Sequence, residues 1–291
     1  MQILTRITRK QWLMGGVALV LIASATGLGI WQIGLRQPVA DPVIIARQVR
    51  GGDLPTDPWS SAWKKASAVV MPLSITSTPE ATAKNVQVRA LTDGTNLAIR
   101  MEWDDSSQEV RTLRPQDFAD AAAVQLSGEL SQVCMGQLDM AVHIWQWKAD
   151  WQEGSREMTA QYPNMLVDGQ FDGEGKPLAL FGEDLFARPA YAAGNARAAV
   201  VKENPVEHLV AGGFGTLTPA GPHPMQGKGV WQKGKWAVVF VRPLVGDPGD
   251  VTLAAGRPLQ AAFALWDGKL QQRNGMKYAT NWAVLQVEAS K

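Results

Sequence analysis

The sequence predicts an all-β protein, an antiparallel β-sandwich with long loops, preceded by one N-terminal transmembrane helix. Three observations carry this. Several segments alternate apolar and polar residues at period two, as a half-buried strand must. Gly-containing dipeptides, Asp93-Gly94, Lys233-Gly234 and Asp267-Gly268, adjoin them as hairpin signals. The aromatic balance is 12 Trp against 3 Tyr and 3 His in a chain that is 46% hydrophobic, which favours a β-rich domain with a deep apolar interior.

Residues 1–10 form a basic segment with Arg6, Arg9 and Lys10. Residues 11–35 then run without a charge and are rich in Leu, Val, Ile, Ala and Gly, long enough to span a bilayer. Trp12 and Trp31 lie about 28 Å apart at a helical rise, roughly one hydrocarbon thickness, so both indoles suit the interfaces. The basic amino side places that end in the cytoplasm. The predicted localisation is therefore the cytoplasmic (inner) membrane, single-pass, with the main domain in the periplasm or an equivalent exterior. Ala23-Ser24-Ala25 also fits a small-residue cleavage site, so a removed export signal is the competing reading. Residues 36–59 carry Pro38, Pro42, Gly51, Gly52, Pro55 and Pro58 without sustained periodicity and read as a linker.

The predicted folded domain is 60–291. In it, Leu97, Ile99, Met101 and Trp103 share one strand face while Arg100 and Glu102 point the other way. Further strands are predicted at 122–126, 142–147, 236–241, 259–266 and 282–287. Residues 150–190 read as long loops with short helices.

Composition excludes several classes of function. The 28 Lys and Arg against 27 Asp and Glu leave +1 overall. Past residue 36 the balance is −3, because Arg6, Arg9, Lys10 and Arg36 precede the first acid, so a nucleic-acid footprint is not expected. One cysteine, Cys134, rules out an internal disulfide, a Cys-based zinc site and Cys-x-x-Cys-His haem attachment. His143, His208 and His223 form no spaced ligand pair. Gly212-Gly213-Phe214-Gly215 lacks the setting of a phosphate loop, and Asp104-Asp105 reads as a turn. No catalytic constellation emerges. What a plain sandwich would not require is Met101 on an inward face and the lysines Lys228, Lys233 and Lys235 near the start of the Trp236 strand.

Five blocks in order carry a resemblance: LAIRMEWDD at 97–105, Met135-Gly136 followed by VHIWQWKA at 142–149, GFGTLT at 213–218, GVWQKGKWAVVFVRPL at 229–244 and AFALWDG at 262–268. Together they resemble the haem-b-binding gamma subunits of ethylbenzene dehydrogenase, dimethyl sulfide dehydrogenase, and chlorate and selenate reductases, over roughly residues 60 to 288. The resemblance implies a β-sandwich holding one haem b through a methionine and a lysine. It places the methionine at Met101 and leaves the lysine among Lys228, Lys233 and Lys235; Lys228, between two glycines, is favoured because small neighbours let a backbone approach a flat macrocycle. Trp103 and Trp236 are the expected pocket walls. Two protein ligands leave no open coordination position, so the expected role is an electron-transfer subunit and not an enzyme. Expected partners are iron–sulfur and molybdenum-enzyme subunits of a redox complex and a soluble cytochrome or quinone-linked carrier. The alternative from another class is a membrane-tethered carbohydrate-binding or adhesion sandwich without haem, using exposed tryptophans as stacking platforms.

Overall fold

The computed structural model describes residues 41–49, 54–75, 84–112, 114–129, 133, 135–153, 204–221, 223–246 and 249–289. The basic segment and the uncharged stretch 11–35 lie outside them. Among the described residues no helix is long and apolar enough to cross a membrane.

Thirteen strands join in one hydrogen-bonded system. One half runs β8 (Thr218–Pro219), β7 (Val206–Ala211), β6 (Val142–Lys148), β5 (Ala121–Ser127), β11 (Leu259–Trp266). The other runs β3 (Lys84–Thr92), β4 (Asn96–Asp104), β10 (Lys235–Pro243), β9 (Gln226–Gln232). Two bridges connect them. β12 (Tyr278–Ala279) and β2 (Val69–Ile75) pair antiparallel between β11 and β3, whereas β13 (Ala283–Val287) and β1 (Val43–Gln48) pair parallel between the same two strands. The remaining pairs are antiparallel, and the described helices are one short α1 (Ala149–Glu153) and a 3₁₀ turn at Ser61–Lys65.

A single apolar cluster draws on both halves: Met101, Trp103, Trp236 and Phe240 from one, Val124, Trp145, Trp147 and Phe263 from the other. At roughly 25 cal/mol for each Å² of apolar surface removed from water, such aromatics dominate the drive to bring the halves together. The period-two expectation for 97–103 holds, since Leu97, Ile99, Met101 and Trp103 all join that cluster. The opposite face of β4 is covered as well. Arg100 is buried there, its Nε donating to Pro58 O at 2.5 Å and its guanidinium lying 5.2 Å from the Trp59 ring, while Leu54, Trp63 and Ala66 pack on Ala98 and Val239.

That cover corrects the reading of 36–59 as a linker. Within it β1 is a structural strand in register with β13 and β3, and Leu54 belongs to the core. Four prolines and two glycines masked a six-residue strand that alternates only weakly. The Lys233-Gly234 expectation is met: both residues have positive φ (51° and 77°), the pair of values a two-residue turn matching the strand twist requires, between the paired Gln232 and Lys235. Asp267-Gly268 is not a hairpin turn, because the return strand starts only at Tyr278. Gly268 is instead a point of close approach, where a Cβ would stand 2.2 Å from Phe118 O.

Candidate functional site

Of the residues singled out from sequence, Met101, Trp103 and Trp236 meet in one core cluster, whereas none of the three candidate lysines reaches Met101. Met101 is completely buried, in register with Val238 of β10 and Val88 of β3. Lys228 pairs with Val239, which pairs with Arg100, one position out of phase with Met101, so its side chain leaves the opposite face of the sheet and is exposed. Lys233 occupies the turn, and Lys235 pairs with Asp104 at 2.5 Å on the surface. Trp103 and Trp236 stack on each other, centroids 6.4 Å apart, with Trp147 edge-on to Trp236 at 5.1 Å. They fill the interior of the sandwich. The two glycines beside Lys228 do admit a flat ring, but that ring belongs to the protein: a Cβ on Gly229 would lie 2.2 Å from Trp147 Cζ2, and one on Gly227 2.3 Å from Val206.

A cleft of about 970 Å³ opens elsewhere, over the face of the β7-β6-β5-β11 half that points away from the Trp145 and Trp147 core. Its floor is Ala121 of β5, Ile144, Gln146 and Lys148 of β6, Leu209 of β7 and Trp266 of β11. Phe118 and Asp120 come from the loop before β5, and Phe214 and Leu217 from the loop after β7. Phe214 is 77% exposed, an apolar cost that an occupant of the cleft would relieve.

Among the residues lining this cleft, Met135 offers a thioether and Lys277 an amine. Met135 sits in a tight turn whose next residue must be glycine: Gly136 has φ +64°, and a Cβ there would meet Met140 O at 2.8 Å and Ala211 O at 2.9 Å. Met135 O accepts from Gly213 N at 2.8 Å, tying the turn to the loop that carries Phe214. Lys277 arrives on the loop 267–277, itself pinned by Asp267 N to Gln272 Oε1 at 3.0 Å and Trp266 Nε1 to Asn274 O at 3.1 Å, and its Nζ lies 5.5 Å from the Trp266 ring. The other lysine in the cleft, Lys148, is ion-paired with the buried Glu207. Sequence reading passed over Met135 and Lys277 because neither lies on an alternating strand. The available signals were the Met-Gly pair inside a resembling block and a lysine just before a strand.

Beneath one wall lies a group of buried acids, Asp105, Asp120 and Asp267. Asp120 accepts from Glu109 N (2.7 Å), Trp236 Nε1 (2.9 Å) and Gly268 N (2.9 Å), yet burial outweighs these bonds and pushes its carboxyl up to about 7. Lys84 bridges Asp267 at 2.5 Å and Asp105 at 3.9 Å. Asp105, expected in a solvated turn, is buried, and burial raises its pKa too. On the opposite face of β6 and β7 the three histidines converge, with burial lowering the pKa of each, that of His208 to about 4.

Residues 60–278 match the ethylbenzene dehydrogenase family. The chain belongs to that family. Both Met135 and Lys277 fall inside the matched region. Among relatives of this chain, a Haloferax mediterranei protein named as respiratory nitrate reductase heme subunit ORF7 is 24% identical, with 92% of this chain and 80% of that protein covered. The chlorate reductase subunit gamma of Ideonella dechloratans is 25% identical over 92% of this chain and 93% of its own length. Among solved structures, a family 9 carbohydrate-binding module from Caldicellulosiruptor kristjanssonii superposes with a TM-score of 0.43 at 9% identity, covering 86% of this chain and 97% of that one. The resemblance to gamma subunits read from the five blocks is thus borne out. Among the described residues every tryptophan is buried or half-buried.

Proposed function

We propose that this chain is a haem-b electron-transfer subunit of an oxidoreductase complex, in which the β7-β6-β5-β11 cleft would take the haem and Met135 and Lys277 would hold its iron. The observation that carries the assignment is the presence of a thioether and an amine on one large, apolar-floored cleft. The volume is that of a cofactor site, the alanine, isoleucine and leucine floor suits a flat macrocycle, and Arg273 at the wall offers a cation to a carboxylated ligand. Haem b supplies a one-electron iron couple, and with both axial positions filled by protein it does not bind substrate.

The protein's part is to hold two unlike donors. The Met135 thioether is soft and favours ferrous iron, and the turn locked by Gly136 fixes where it stands. Lysine ligates only as the neutral amine, so Lys277 would hold the iron in its deprotonated form. Lys148 is less suited, because the Glu207 carboxylate stabilises its charged form. The chain's relatives are haem and gamma subunits, so it is an electron-transfer subunit and not the catalytic one. The partners in this reading are molybdenum and iron–sulfur subunits and a soluble cytochrome or quinone-linked carrier. The uncharged stretch 11–35 supports anchoring to the inner membrane, with the cleft on the periplasmic side.

The test is the absorption spectrum of the purified full-length protein and of two variants. Wild type should carry one acid-acetone-extractable haem in a low-spin, six-coordinate form. Lys277→Ala should turn high-spin or water-ligated, and Met135→Ala should lower the potential by about 0.1 V or more within the range axial ligands command. A folded, colourless wild type would overturn the assignment of function. Unchanged spectra in both variants would overturn the ligand pair alone.

A further inference from the structure

We propose that His143, His208 and Asp250 form a second metal site, separate from the cleft, that takes a borderline divalent transition ion of the zinc class. All three histidines of the chain meet at one place, although 65 residues separate the first two. His143 Nδ1 lies 3.2 Å from His208 Nε2 and 3.3 Å from Asp250 Oδ1. Tetrahedral coordination at the Zn–N and Zn–O lengths of about 2.0–2.1 Å puts neighbouring donor atoms roughly 3.3 Å apart. These two separations match ligands around one ion, and all three donor atoms lie within 4.8 Å of one another.

The surroundings suit a ligand set. His143 and His208 aim one ring nitrogen each at the other, and two protons cannot share that line. The rings therefore either share a single hydrogen bond or turn both lone pairs onto a cation. Neutral imidazole is the form that ligates, and each ring presents one nitrogen to the shared point. His208 is locked by stacking on Trp145, centroids 4.8 Å apart and planes 12° from parallel. Arg242 approaches the other Asp250 oxygen, Oδ2, at 3.3 Å and donates to Val251 O at 2.6 Å, which orients the carboxylate with Oδ1 toward the histidines. Beside them, His223 donates from Nε2 to Val206 O at 3.2 Å, and its Nδ1 lone pair is buried with no hydrogen-bond partner among the described residues. A single carboxylate is too few for hard ions such as Ca²⁺ or Mg²⁺, which seek several oxygen donors, whereas imidazole donors favour zinc or copper.

This site stands apart from the cleft because it uses the other face of the same strands: His143 alternates with Ile144, and His208 with Leu209. Its ion would fasten the Asp250 loop onto β6 and β7.

The experiment uses untagged full-length protein, stripped with chelator, titrated with ZnCl₂ by calorimetry and with CoCl₂ by visible absorption, alongside His208→Ala and Asp250→Asn. Wild type should bind one equivalent of Zn²⁺ and show the d–d bands of tetrahedral Co²⁺. His208→Ala should weaken Zn²⁺ at least 100-fold and Asp250→Asn at least 10-fold. Zn²⁺ should raise the melting temperature of wild type and of neither variant. Absence of stoichiometric binding in wild type, or binding that survives Asp250→Asn and His208→Ala alike, would overturn the proposal. Haem content is read separately, so either site can fail without the other.

Discussion

The Trp147 indole occupies the space a side chain at position 229 would need: a Cβ on Gly229 would fall 2.2, 2.7 and 2.8 Å from three atoms of its six-membered ring. Gln152 fixes the arrangement, accepting from Trp147 Nε1 at 2.9 Å and Gly229 N at 2.7 Å and donating to Gly229 O at 2.8 Å. One side chain thus ties the end of β6 to β9, the edge strand of the opposite half. Gly229→Ala should destabilise by about 1–3 kcal/mol, since overpacking a buried aromatic outweighs the 0.4–1 kcal/mol an alanine gains by restricting the unfolded chain. Urea unfolding of the variant against wild type checks this. Lys228→Ala, one residue away on the exposed face, should shift stability by no more than about 0.5 kcal/mol.

Met101 and Met135 should separate cleanly by what each variant disturbs. Met101→Ala removes a completely buried side chain from the two-sided core and should cost about 2–5 kcal/mol in unfolding free energy while leaving the spin state of any bound haem as in wild type. Met135→Leu, conservative in volume and only half-buried, should cost less than about 1.5 kcal/mol yet change the axial spectrum. Denaturant curves and spectra on the same two preparations decide it; the reverse pattern would return the ligand to Met101.

Gly136→Ala forces a left-handed residue to carry a Cβ against two carbonyl oxygens. A stability loss of about 1–3 kcal/mol is expected, together with reduced haem occupancy, because the displaced turn carries Met135. Haem-to-protein ratio after reconstitution is the measurement.

Asp120 gives the stability a pH dependence of known sign. Burial raises its carboxyl from 3.8 to about 7, so the folded state holds this proton more tightly than the unfolded chain does. Its contribution is complete below about pH 4 and is lost as pH rises through about 7, by something on the order of 2–4 kcal/mol. Across pH 5 to 7 the unfolding free energy of wild type should therefore fall relative to that of Asp120→Asn. Parallel pH profiles for the two proteins would contradict the assignment.

Strands with strict alternation and hairpins with a glycine were legible from residues alone: β4, β10 and the Lys233-Gly234 turn came through, and Leu259–Trp266 matched β11 end to end. Strands with weaker local patterns were not. β1 hides among prolines, β7 mixes Glu207 and His208 into an apolar run, and β9 has two glycines in place of inward side chains. The site was harder for a different reason. The proposed donors, Met135 and Lys277, sit on irregular loops, where no periodicity points inward, and the cleft overlies the outer face of a sheet whose small residues, Ala121 and Ala123, read simply as strand core. Facing direction misled as well: a single step of register separates Lys228 from the Met101 face.

The parallel pairing of β1 with β13 sets the order in which the chain can be completed. Val43 meets Val284 and Ala46 meets Val287, and Arg47 is held by Glu288 at 3.0 Å across 241 residues of sequence. During synthesis β1, the first strand among the described residues, has no partner on that side until β13 emerges, so it must wait as an unpaired edge while the intervening strands assemble. Contacts of such separation are the slow ones to form. A chain cut short by a dozen residues would lose β13 and leave β11 and β1 each with an open flank, turning a truncation at the far end into a failure at the beginning.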